Sequence, residues 1–183
     1  MAATESTFMN KFDFPVLTKD HTLNFTALKT IKDEVKANAL SIHSDLGGGT
    51  FGYLGLVLTA AEYALVSPVP FVRHVNPPPL FIPPGTLQHV ANGMRADRKE
   101  ARQLFKEMTN LEQTLIHQLT QAIPSAYLRS FRNRHSNSIQ TTLPVLFASL
   151  FRTYGKIPEN ELQSAEQTLR AKVYDITEPL VVM

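Results

Sequence analysis

Apolar residues in this chain recur mostly at helical spacing, in segments separated by glycine, proline and polar runs. Leu28, Ile31, Val35 and Ala39 share one stripe, with Leu40 beside it. This predicts a helix capped by Thr26 and ending near Ser44. Tyr53 to Leu58 is short and apolar, and fits either a strand or a helical turn. Thr59 is placed to cap a shorter helix through Ala60, Ala61, Tyr63 and Val66, stopped by Ser67-Pro68. The longest predicted helix runs from about Thr86 to Ala122. Leu87, Met94, Ala101, Met108, Leu115 and Ala122 repeat in it every seven residues. Val90, Leu104 and Leu111 fill most of the interleaved row, which Asp97 and Gln118 break. Such a repeat fits a coiled coil or the central helix of a bundle, and the number of other apolar helices favours the bundle. Gly93 weakens its first turns.

Beyond Pro124 the pattern continues through Tyr127, Leu128 and Phe131, then breaks in the polar run Asn133 to Ser138. Thr141 or Thr142 caps the next predicted helix, Leu143 to Tyr154, with Leu146, Phe147, Leu150 and Phe151 packed inward and Gly155 as its stop. Pro158 opens another, with Leu162, Ala165, Leu169 and Val173 inward. Glu178-Pro179 begins a further helix just before the last residue, as expected of a fragment of a longer polypeptide. The expected organisation is a loose N-terminal arm (1–21), an N-terminal helical region (22–123) and a C-terminal helical region (124–183). The fold class expected is all-α, a helical bundle with one long central helix.

Two segments interrupt this helical pattern. From Ser67 to Gly85 seven residues are proline, so no regular element is expected. The interleaved Val69, Phe71, Val72, Leu80, Phe81 and Ile82 are too apolar for a solvated linker. The segment is therefore expected to lie extended across a core or a neighbour. Five of the eight glycines, Gly47, Gly48, Gly49, Gly52 and Gly55, fall in one short run. Gly47-x-Gly49-x-x-Gly52 matches a dinucleotide fingerprint as a string. That fingerprint needs a buried strand before it and a helix opening at its last glycine, whereas a predicted helix precedes it here. The run reads as a structural turn after a helix stop.

Composition narrows the function classes. The chain has 183 residues, 43% hydrophobic and 19% charged, which describes a globular protein. No stretch approaches the roughly 18 uninterrupted apolar residues of a membrane span, and no secretory signal is visible. The absence of cysteine rules out disulfides and thiolate chemistry within this chain, and fits a cytoplasmic setting. The six histidines form no zinc-protease pair and no Gly-x-Ser-x-Gly elbow occurs, so no catalytic residue, cofactor or metal is assigned. Glu100, Glu107 and Glu112 alternate with Arg98, Lys99, Arg102 and Lys106, as on a solvated helix face that supports the helix. The net charge is only +2, but Gln113 to Pro158 contains no aspartate or glutamate. In that window Arg129, Arg132, Arg134, Arg152 and Lys156 are the candidate nucleic-acid-binding residues. The competing reading makes Phe131 a core residue, with the arginines as its fringe.

Three stretches carry a family resemblance. The first is Asn38-Ala39-Leu40-Ser41-Ile42 running into Gly47-Gly48-Gly49 and Tyr53 to Leu58, then Tyr63. The second is Leu143 to Gly155, and the third runs from Ile157-Pro-Glu through Tyr174-Asp175 to Glu178-Pro179-Leu180. In this order they resemble the Gag, or capsid-like, polyprotein of copia-type long-terminal-repeat retroelements. The resemblance implies an all-helical subunit that self-assembles around RNA and has no catalytic activity. Its implied partners are other copies of itself and RNA, with no membrane. The chain departs from a full Gag in lacking a Cys/His zinc knuckle.

Overall fold

Asn24, not Thr26, opens the first helix, α1 (Phe25–Ser41). The Asn24 side-chain oxygen accepts a hydrogen bond from the Ala27 amide at 2.8 Å, satisfying one of the amides that a helix start leaves free. The computed structural model to which this helix belongs describes residues 23–156 and 159–174. Ala27, Leu28, Ile31, Val35 and Ala39 are buried along α1, whereas Leu40 is 47% exposed and lies off the core. The helix stops at Ser41, short of Ser44, because the returning chain meets its last carbonyls. The Tyr53 amide donates to the Ala39 carbonyl at 3.0 Å.

Tyr53 to Leu58 is neither strand nor α-helix but a 3-10 turn, Leu54–Leu56. Thr59 then caps α2 (Ala60–Ala64) through a reciprocal box. The Glu62 amide donates to the Thr59 hydroxyl at 3.2 Å, and the Glu62 carboxylate accepts from the Thr59 amide at 2.8 Å. The proline-rich segment contains no regular element and runs alongside the long helix, α3 (Gln88–Ala122). Arg98 donates to the Pro78 carbonyl at 2.9 Å, and Arg73 pairs with Glu112.

The sevenfold apolar row of α3 is buried along only one half of the helix. Met108, Leu111, Leu115, Leu119 and Ala122 are in the core, whereas Leu87 is 64% exposed and Val90 is also exposed. Lengths explain the difference. At 1.5 Å per residue the 35 residues of α3 span roughly 50 Å, and the 17 of α1 only roughly 25 Å. The packed half has helical neighbours along its length; the other extends beyond them, with Ala91 buried and the proline-rich segment against it at Arg98. Gln118, one of the two breaks in the second row, is buried and accepts a hydrogen bond from the buried Asn38 side chain at 2.9 Å.

After α3 come a 3-10 helix (Ser125–Phe131) and α4 (Leu143–Tyr154). Thr142 occupies the cap position of α4 without a side-chain hydrogen bond, and Pro144 sits in its first turn. Gly155 ends the helix at a φ of −83°, so no left-handed cap is used there. Helices α1, α3 and α4 pack on one another. Leu128, Ile139, Leu143, Leu146, Phe147 and Leu150 share one core with Leu28, Ile31 and Leu111, so residues on both sides of Pro124 are buried together. The architecture is mainly helical with one long helix through it, and among the described residues there is no strand.

The last described helix, α5 (Glu159–Tyr174), departs from its expected packing. Leu162 and Leu169 are 54% and 65% exposed, and Ala165 is exposed too. Their spacing defines a face, but spacing does not supply a partner for it. The Val173 side chain, Pro158, Glu178-Pro179 and the arm 1–21 lie outside the described residues.

Gly93 sits in the projecting half of α3 with open space where a Cβ would stand. Gly93→Ala should therefore stabilise the protein by about 0.5–1 kcal/mol. The check is the urea midpoint, which should rise with an unchanged slope.

Candidate functional site

The glycine run is built around α1's carbonyl end. Gly47, Gly48, Gly49 and Gly52 all have positive φ, and Gly55 does not. A Cβ on Gly52 would lie 2.4 Å from the Ile42 carbonyl and 2.7 Å from that of Leu40. A Cβ on Gly55 would overlap the Cγ and Cβ of Phe71, and one on Gly47 would overlap the Tyr63 hydroxyl. The Gly47 carbonyl accepts hydrogen bonds from Ser67 at 3.2 Å and Tyr63 at 3.4 Å. The run thus sits at the negative end of a helix dipole. A phosphate cradle requires the opposite end, where free amides face the anion.

A cavity of ≈360 Å³ adjoins this corner, walled by Gly55, Leu58, Pro70, Phe71 and Pro144. Tyr63 and Arg73 are the ionisable residues in its lining. Beside it a second cavity, ≈430 Å³, is lined by Lys29, Lys32, Glu62, Phe25 and Phe151. Burial works against ionising Glu62, but hydrogen bonds from Lys32 and Thr59 together outweigh it and hold its carboxyl below the usual range. Lys32 contacts Glu62 at 2.6 Å and lies 5.9 Å from the Phe151 ring centre. A carboxylate held ionised by a helix cap and an ammonium is a poor proton donor near neutral pH. Among the described residues no three His, Asp or Glu side chains are grouped to hold a metal.

The five basic candidates come from two segments that meet at one end of the bundle. Tyr127 and Tyr154 stack edge to face at 4.9 Å, seating the 3-10 helix against the last turn of α4. Arg129 therefore lies on an element packed beside the one that carries Arg152 and leads to Lys156. Arg129, Arg134, Arg152 and Lys156 are exposed, and none has a carboxylate partner among the described residues. Arg132 differs. It is half-buried, donates to the Asn137 carbonyl at 3.1 Å and bridges to Ile139, bracing the turn in which Asn137 adopts a φ of 54°. Phe131 is half-buried against the core, as the competing reading expects.

No protein-family model, curated protein or solved structure matches this chain. Its candidate surfaces therefore stand on their own geometry.

The charges of α3 differ from a uniformly solvated face. Glu112 is buried and pairs with Arg73 of the proline-rich segment. Arg98, Lys99, Arg102 and Lys106 form no ion pair with Glu100 or Glu107 among the described residues. A second exposed surface is apolar. Val72, Val75 and Phe81 of the proline-rich segment are 66%, 81% and 75% exposed, near Leu87 and Val90 in sequence. No helix among the described residues is long and apolar enough to cross a membrane.

Proposed function

We propose that this chain is a non-enzymatic, capsid-like structural subunit of the copia-type retroelement Gag class, which self-assembles around RNA. One observation carries the reading: large apolar side chains are left uncovered on the proline-rich segment, the projecting half of α3 and α5. Isolated exposed leucines and valines are ordinary, but a succession of them on projecting elements is what contacts between copies require. The sequence resemblance and the structural use of the glycine run support the same reading.

Light scattering coupled to size-exclusion chromatography, over a range of protein and salt concentrations, tests it. Masses above the monomer that grow with concentration, and particles by electron microscopy, are the expected result. A strict monomer at the highest concentration, with no particles, overturns it. A second reading is a helical nucleic-acid-binding module acting through Arg129, Arg134, Arg152 and Lys156, with Arg132 shaping the turn. The exposure of the first four favours it.

A further inference from the structure

The charged residues of α3 alternate in sequence but segregate in space. Arg95, Arg98, Lys99 and Arg102 stand at the i, i+3, i+4 and i+7 positions of one helical face, and Lys106 continues the row a turn later. With Leu80 of the proline-rich segment, the first four surround one open cavity of ≈210 Å³ that has no carboxylate in its lining. Asp97 and Glu100 lie three apart on a different face, so neither neutralises this row. Arg95–Lys99, Arg98–Arg102 and Arg102–Lys106 are like-charge pairs at i, i+4, an arrangement that weakens a helix. The arginines are also partly held in place. Arg98 is anchored to the Pro78 carbonyl, and Arg95 donates to Asn92 at 3.0 Å.

Repulsion of this kind persists at a cost to the free protein and is relieved by a bound polyanion. We infer that this face of α3 is a binding site for the phosphodiester backbone of single-stranded RNA. From Arg95 to Lys106 the row is roughly 16 Å long, a linear array suited to successive phosphates rather than a socket for one ion. Phe81, next in the chain to Leu80 and 75% exposed, supplies a more open aromatic ring than the half-buried Phe131. The inference rests on the proposed RNA-containing assembly only for the identity of the polyanion.

The test is fluorescence anisotropy of a labelled polyuridine oligonucleotide against the full chain across salt concentrations. Arg95→Ala/Lys99→Ala/Arg102→Ala leaves Arg98 and its structural contact in place. It should weaken binding at least about tenfold and lower the salt slope by about 2, at roughly 0.7 per lost phosphate contact. Its melting temperature should equal or exceed that of the parent, since repulsion has been removed. Phe81→Ala should weaken binding about fivefold with the slope unchanged. Wild-type affinity and slope in the α3 variant overturn the inference, as does an RNA-indifferent parent chain. An RNA-indifferent chain that still forms particles sinks this site and leaves assembly intact. RNA binding through α3 by a strict monomer does the reverse.

Discussion

Gly52→Ala should destabilise this protein by about 3 kcal/mol, the sum of a disfavoured left-handed backbone and overpacking against fixed atoms. Its φ is +49°, and the added carbon would meet the carbonyls of Ile42, Leu40 and Ala39, all within 3.0 Å. Those atoms belong to the end of α1 and cannot swing aside as a flexible side chain would. Gly49→Ala is the internal control. It also has positive φ, but its Cβ would meet nothing closer than 3.9 Å. Its cost should be about 1 kcal/mol, for the backbone alone. Urea unfolding of the two variants decides the matter. Equal losses would mean that the close approach at Gly52 contributes nothing.

The second large effect is expected at Arg73. Its guanidinium meets Glu112, whose side chain is 10% exposed and whose other oxygen has no hydrogen-bond partner. Arg73→Ala strands a buried carboxylate. Breaking a fully buried pair costs roughly 3–5 kcal/mol, and access of water to the 38%-exposed arginine reduces this to about 2. Adding Glu112→Gln should recover most of the loss, because the isolated charge is then gone. If the double variant is no better than the single, the damage comes from lost packing of the proline-rich segment instead. Limited proteolysis across residues 67–85 reads this out separately, since loosening the anchor should expose that segment to cleavage.

What the sequence made legible was local. The Thr59 cap and its Glu62 partner lie three residues apart, and Thr142 and Gly155 mark the two ends of α4, although neither the side-chain cap nor the left-handed stop is used there. The cap of α1 is Asn24 although Thr26 is competent by type too, and Leu23 just before Asn24 is buried. Long-range facts were hidden. The sevenfold row of α3 runs unbroken through both halves, and only the lengths of α1 and α4 decide which half finds partners. Leu162 and Leu169 have the spacing of a buried stripe and are exposed. At the candidate surfaces, the exposure of Arg129 and Arg152 could be anticipated from charge, but the bracing role of Arg132 depends on the Asn137 carbonyl. The cationic row on α3 is spaced at i, i+3, i+4 and i+7, so it is legible around the helix and masked along the sequence by interleaved acids.

The Asn38–Gln118 contact has a consequence for how the bundle finds its alignment. It contributes little net energy, since each amide gives up water for one shared bond and the buried Asn38 Oδ1 finds no partner. Sliding α1 by one turn along α3 would part the two amides and set Asn38 opposite Thr114 or Ala122, losing the bond between them. This single polar match therefore acts as a key, admitting one register between two otherwise greasy rods and rejecting its near neighbours.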